Sequence, residues 1–224
     1  CQTVADSDYV KSEGLAGRLG EQLMAVVCTQ NGKRGKYFVS GSEVFDIIPN
    51  YAEISSRTDR ILKNENLTRP TEIIQTDAKN SCWTSLYGLT TYQQLFTPRQ
   101  LNAIFTLINH LHLAEKEMIS HGYDADHRKA IITYLALVID TYADYSSSLC
   151  RWKSTTEQLI QTLSRPALPM VWDFAEPNPF GGASGSLFGI LDKIISVTSR
   201  LEGNSGYVYR GSALNTQFNN EFFD

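Results

Sequence analysis

The stretch FTPRQLNAIFTLINHLHL, residues 96–113, reads as the opening of a long helix. Thr97 and Gln100 have capping-box spacing, in which each side chain satisfies a backbone N–H that the first turn leaves unpaired. Pro98 suits the first helical position, where it has no needed N–H to lose, and Phe96 with Leu101 can form a hydrophobic staple across the cap. Leu101, Ile104, Phe105, Ile108 and Leu111 then recur at helical spacing, so one face is buried as the helix runs to Gly122. A second helix starts near Asp124 or Asp126 and continues through Ile131, Leu135, Val138 and Tyr142. Its run from Ile131 to Ile139 is apolar on nearly all sides, which predicts the central helix of the core.

Toward the N-terminus, Leu23–Thr29 is strand-like, Asn31-Gly32 supplies the residues of a tight primed turn, and Lys36–Val39 returns, so a β-hairpin is predicted. From Ser42 to about Asn64 the pattern is weakly helical, with Ser42 as cap and a break at Pro49. Residues 64–95 read as a long connection packed through Trp83, Leu86, Tyr87 and Leu89. Toward the C-terminus, Ser154 and Glu157 have capping-box spacing and predict a short helix carrying Leu159, Ile160 and Leu163. Gly181–Ser186 reads as a connection and cap for a helix with Leu187, Ile190, Leu191, Ile194 and Ile195. Tyr207-Val208-Tyr209 reads as a short strand. The sum is an α+β unit, predominantly helical, with the hairpin in an N-terminal segment 1–41 and a helical region 42–224 ending in a short strand.

One segment fits neither periodicity. Pro166–Phe180, PALPMVWDFAEPNPF, holds four prolines that fix the backbone and remove amide donors, so it is neither a long helix nor a central strand. Asp173, Glu176 and Asn178 alternate there with Trp172, Phe174 and Phe180, which sets polar groups on a rigid apolar segment of the kind that lines ligand sites. A buried connection whose acids cap neighbouring helices is the plainer alternative. Trp172 is expected to be buried, so that Trp172→Ala destabilises the fold. Asp173 and Glu176 could work as an acid and base if burial separated their pKa values, but they form no signature.

Other chemistry is sparse. The chain has no Gly-x-Ser-x-Gly elbow, no His-Glu-x-x-His and no phosphate loop. Cys1, Cys28, Cys82 and Cys150 are far apart without a Cys-x-x-Cys pair, and His110 and His112 point to different helix faces, so no metal site is expected. No run approaches the ~20 apolar residues of a membrane span, and no secretory segment stands at the start, so a cytoplasmic location is expected. With no initiator Met, and an apolar run beginning at Glu221–Asp224, both ends look cut. A net charge of −4 argues against a surface that holds nucleic acid all over, but leaves room for local patches. Lys33, Arg34 and Lys36 crowd one turn, and Arg151 and Lys153 flank Trp152, a pairing suited to phosphate contact and base stacking.

The order Tyr87-Gly88, LFTPRQL at 95–101, AIITYLALVIDTYADYSSSLCRW at 130–152, ALPMVWDFAEPNPF at 167–180, VYRGSA at 208–213 and FFD at 222–224 resembles the middle portion of large adenine-specific DNA methylases, a group often carrying a zinc-ribbon module. The resemblance implies that the chain is an excised part of a larger Rossmann-like methylase that moves a methyl group from S-adenosylmethionine to adenine in DNA. The family's cofactor glycine motif, its Asp-Pro-Pro-Tyr motif and its zinc-ribbon cysteine pairs are not in this sequence, and Tyr37–Gly41 departs from the family's Tyr-Arg-x-Pro-Thr segment. The chain is therefore expected to hold no cofactor and to be inactive alone, with S-adenosylmethionine bound by the full-length parent.

On this resemblance Trp172, Asp173, Glu176 and Asn178 shape the active-site or cofactor region, and Arg99, Arg151 and Lys153 contact DNA. The expected partners are DNA, through the parent, and the remainder of the methylase chain, with no membrane. An unpaired strand at Tyr207–Ala213 could also pair with a second copy. A stand-alone module that binds a protein through the 172–180 loop is the alternative reading, and a small-molecule enzyme using Asp173 and Glu176 a third.

Overall fold

The computed structural model describes residues 4–44, 50–76 and 82–200. The expected strand at Tyr207–Tyr209 and the segment Phe222–Asp224 lie outside them. The described residues form five α-helices and two small antiparallel sheets, an α+β arrangement. In chain order these are α1 (Ser7–Leu15), β1 (Ala25–Cys28), β2 (Tyr37–Ser40), α2 (Tyr51–Glu65), α3 (Pro98–Ser120), α4 (Ala125–Asp144), β3 (Arg151–Lys153), β4 (Gln158–Ile160) and α5 (Leu187–Thr198).

The cap of α3 forms as its sequence predicts. Gln100 N–H donates to Thr97 Oγ1 at 3.2 Å and Thr97 N–H to Gln100 Oε1 at 2.8 Å, with Pro98 inside the first turn. The helix lies between α2 and α4, and α4 packs on α5. Three apolar clusters make up the core. Leu62, Leu101 and Phe105 join α2 to α3, while Ile104, Val138, Tyr142 and Ile190 join α3, α4 and α5. Ile74, Leu95, Leu149, Leu168 and Val171 gather the connections. Phe96 packs against all three clusters, so the staple residue beside the α3 cap is also the hinge of the core.

Several expectations need correction. α4 is not the central helix: it buries only Val138 and Tyr142, and leaves Tyr134 39% and Leu137 48% exposed. Its neighbours cover one face, so its apolar outer face meets solvent despite its composition. Ser154–Glu157 opens no helix. Glu157 takes a positive φ of 48°, which ends a turn, and Trp152 pairs opposite Leu159 across the β3–β4 hairpin. Leu159 is buried on this hairpin, whereas Leu163, expected on the same helix, lies beyond it and is exposed.

The first hairpin is present, with Ala25 opposite Ser40 and Cys28 opposite Tyr37. Its connection is longer than a two-residue primed turn. Residues 29–36 form it, Lys33 N–H donates to the Gln30 carbonyl, and Gly32 supplies the positive φ of 76°. Ser40, not Ser42, caps the short 3-10 turn Gly41–Glu43, and α2 begins only at Tyr51 under an Asn50 cap. In the connection before α3, Ile74, Thr84 and Leu95 are buried, whereas Trp83 and Leu86 lie largely exposed. A 3-10 turn at Thr84–Tyr87 turns them outward. That turn rests on α1 at a glycine contact: a Cβ on Gly14 would stand 2.6 Å from the Tyr87 carbonyl oxygen, so no larger residue fits.

No helix among the described residues is long and apolar enough to cross a membrane.

Candidate functional site

The segment Pro166–Phe180 is a shaped loop, as its prolines require, fastened along its length. Leu168 and Val171 insert into the cluster with Ile74, Leu95 and Leu149. Trp83 N–H donates to the Leu168 carbonyl at 3.1 Å, and Ala175 N–H to the Cys150 carbonyl at 2.9 Å, beside a bridge between Phe174 and Arg151. Leu187 N–H donates to the Pro179 carbonyl at 2.8 Å, tying the loop's end to α5, whose cap Ser186 accepts from Gly189 N–H. The end of α4 is fixed to the same frame. Ser148 donates to the Leu95 carbonyl through both its N–H and its hydroxyl, each at 2.8 Å.

The strongest fastening is ionic. Arg99, in the first turn of α3, donates from Nε to Glu176 Oε1 at 2.7 Å and from Nη2 to Glu176 Oε2 at 2.8 Å. Both side chains are mostly covered, so this bidentate pair has directed, charge-assisted bonds in partial shelter from water. Bonding to Glu176 holds the Arg99 guanidinium more firmly protonated than usual. Nearby, burial first, and then donation to the Glu21 carboxylate, push the Tyr51 phenol up to about 12. Burial likewise raises the phenol of Tyr142, close enough for the charges of Glu176 and Arg99 to bear on it.

The loop's outer side is different. Trp172 is 58% exposed and meets Tyr87 edge to face, with ring centroids 5.1 Å apart at 89°. The expectation that Trp172 is a buried core residue is therefore corrected. The flanking core positions Leu168 and Val171 take up the interior, and the tryptophan projects from the rim. Asp173 is exposed beside it. Asn178 makes a local turn, its Oδ1 accepting from Phe180 N–H at 3.0 Å. With both oxygens of Glu176 engaged by Arg99, the loop's acids do not form a free acid and base couple.

Of the residues assigned to DNA, Arg99 thus braces the loop, whereas Arg151 and Lys153 lie exposed on β3. Trp152 between them turns toward the first hairpin, edge to face with Phe38 at 6.4 Å and with Lys36 Nζ 5.2 Å from its ring centroid. Lys36 also donates to the Glu157 carbonyl.

Sequence reasoning missed the polar floor beneath the loop. Ser147 Oγ lies 2.6 Å from Thr162 Oγ1, Thr162 donates to the Asp144 carbonyl at 2.8 Å, and buried Cys150 sits among them. Gln100 Nε2 is buried without a hydrogen-bond partner among the described residues, and Ser146 Oγ is buried beside the Tyr142 phenol. A capping box signals Gln100 but not the burial of its amide. No signal in the sequence marks the Ser146–Ser148 run as anything but a break. Among the described residues no group of three or more His, Cys, Asp or Glu is placed to hold a metal, and Cys28 and Cys150 are free thiols. A hollow of about 340 Å³ lies at the C-terminal end of α3, lined by Ala114, Glu117, Met118, His121 and Tyr123, at the opposite end of that helix from Arg99.

Compared with known families, with curated proteins and with solved structures, the chain matches none.

Proposed function

We propose that this chain is a noncatalytic middle segment of an S-adenosylmethionine-dependent, adenine-specific DNA methyltransferase, and that its Pro166–Phe180 loop shapes the active-site region of the parent. The sequence resemblance suggests the reading. The single observation that supports it is the construction of the loop: pinned from within by Arg99–Glu176, it holds Trp172 out at a rigid rim with Asp173 at its side. A base taken out of a DNA stack needs such a preformed aromatic wall with hydrogen-bonding groups next to it. On this reading Asn178 and Glu176 hold the wall in shape, the Rossmann-like sheet and the methyl donor belong to the rest of the parent, and Arg151 and Lys153 face DNA.

The test is transfer of a labelled methyl group from S-adenosylmethionine to adenine in a duplex. The parent is expected to transfer it and this chain alone to give none. Trp172→Ala in the parent is expected to slow transfer about tenfold, the size of one lost base-stacking contact. A parent that transfers no methyl group overturns the proposal.

A second reading has one observation in its favour. Trp83 and Leu86 stand exposed at the Thr84–Tyr87 turn, and Tyr87 of that turn touches Trp172, which gives the loop an apolar surround of the kind that marks protein interfaces. A tight protein partner, lost in Trp172→Ala and accompanied by no effect on DNA, would favour that reading.

A further inference from the structure

The tips of the two hairpins meet. Lys36, at the end of the 29–36 connection, donates to the carbonyl of Glu157 in the β3–β4 turn, and its ammonium lies against the ring of Trp152. Phe38 of β2 fixes the same ring from its edge. Two basic clusters that are more than a hundred residues apart in sequence are thus brought to one side of the joined hairpins: Lys33, Arg34 and Lys36 from the first connection, and from β3 Lys153 beside the second turn and Arg151 at the strand's other end.

Four of these cations, Lys33, Arg34, Arg151 and Lys153, are exposed and form no ion pair with a described residue. Lys36 faces the carboxylate of Glu157 at 3.9 Å. In a chain of net charge −4, this is a local reversal of sign. Its aromatic is not a free stacking platform. Trp152 is half-buried under Lys36 and Phe38, whereas a surface for single strands needs open rings on which bases stack. Along β3, Arg151 and Lys153 project to the face opposite Trp152, so the narrow β3–β4 ribbon bears cations on both sides, Lys36 lying over the other. One face of this ribbon is covered by the first hairpin and its edge at Arg151 bridges Phe174, so its cations meet a duplex from outside, at the phosphates.

We infer that the joined hairpin tips are a docking surface for the phosphate backbone of duplex DNA, contacted by Lys33, Arg34, Arg151 and Lys153, with Lys36 positioning the two tips. The inference rests on the proposed function only in taking DNA as the polyanion.

Fluorescence anisotropy of a labelled duplex, titrated with the chain at several salt concentrations, tests it. A tip variant replaces Lys33, Arg34, Arg151 and Lys153 by Gln. A control variant removes the same four charges elsewhere, at Arg57, Arg60 and Lys63 of α2 and Lys193 of α5, all exposed. The tip variant is expected to lose about a hundredfold in affinity and to flatten the slope of log affinity against log salt by about 3 to 4, close to 0.9 per lost phosphate contact. The control is expected to stay within about threefold of the wild type, because charges away from the contact release no counterions there. Equal losses in both variants, an unchanged tip variant, tighter binding to single strands, or no duplex binding by the wild type overturns the inference. Binding to anionic phospholipid vesicles but not to duplex overturns it in favour of a membrane surface. A parent that methylates DNA while the tip variant binds like wild type leaves the methylase reading standing alone. Tip-dependent binding with an inactive parent does the reverse.

Discussion

The Pro166–Phe180 loop and the joined hairpin tips are both rich in polar groups, and the fold treats them in opposite ways. In the loop most of those groups are tied to protein, although Asp173 stays at the exposed rim: Glu176 gives both oxygens to Arg99, Asn178 closes its own turn, and the backbone of Leu168 and Ala175 pairs with neighbouring segments. At the tips four cations are left to solvent around one covered tryptophan. A charged residue in a sequence is thus a brace or a contact according to the partner that folding brings to it. Arg99 and Arg151 look alike in sequence, but only Arg99 finds an acid.

The comparison breaks first at Phe96, which packs on every core cluster and so couples the loop's floor to the helices. Phe96→Ala is expected to cost about 2–3 kcal/mol in denaturant unfolding, below the ~3–5 of a fully buried ring because Phe96 is only partly buried. A loss below about 1 kcal/mol would mean that the loop cluster is independent of α3. Next comes the ion pair. Its covering is partial, so breaking it should fall between the exposed and fully buried cases, and Glu176→Gln or Arg99→Met is expected to cost about 1–3 kcal/mol. The double variant should cost clearly less than the sum of the two. Additive losses would show that the bidentate geometry contributes nothing to holding the loop.

Much of this was legible in the sequence, because some of its rules are local. The α3 cap depends on four consecutive residues, and it formed as read. The prolines of 166–180 exclude regular structure wherever the loop lies. The Asn31-Gly32 region is a turn, though in a longer connection. Burial was less legible because it depends on neighbours far along the chain. Ile131–Ile139 has the composition of a central helix, yet among the described residues α3 and α5 pack on α4 while Tyr134 and Leu137 stay exposed. Trp172 reads as core, but Leu168 and Val171 occupy the space it would fill. The Lys36–Trp152 contact, which joins the tips, has no local signature at all.

Tyr51 supplies a pH test of the polar ground beside the loop. In an unfolded chain a phenol ionises near ~10, whereas in the fold burial and the bond to Glu21 push it up to about 12. The fold favours the protonated form, so this contribution is complete below about pH 10 and is lost as pH rises through about 12. Wild type should therefore lose stability between those values more steeply than Tyr51→Phe, in denaturant midpoints measured across that range. Parallel curves would show that the phenol is not held by the fold. The charge of Arg99 lowers the Tyr51 value and that of Glu176 raises it. Glu176→Gln should therefore bring the tyrosinate absorbance of Tyr51 in at lower pH.

The smallest effect on stability is expected at Trp172, and it separates brace from contact most sharply. A fully buried tryptophan truncated to alanine costs about 3–5 kcal/mol, but this ring is 58% exposed and keeps a single edge-to-face neighbour, Tyr87. Such a pair contributes about 0.5–1.5 kcal/mol, so Trp172→Ala should lower the Tm by only about 1–6 °C in a domain of this size. Tyr87 should feel little of it, because its backbone is held by the Gly14 contact and not by the ring. A loss as large as that of Phe96→Ala would make Trp172 part of the brace and remove it from the active-site wall. A small loss in stability together with slowed methyl transfer by the parent would leave the ring one role, contact with a substrate base.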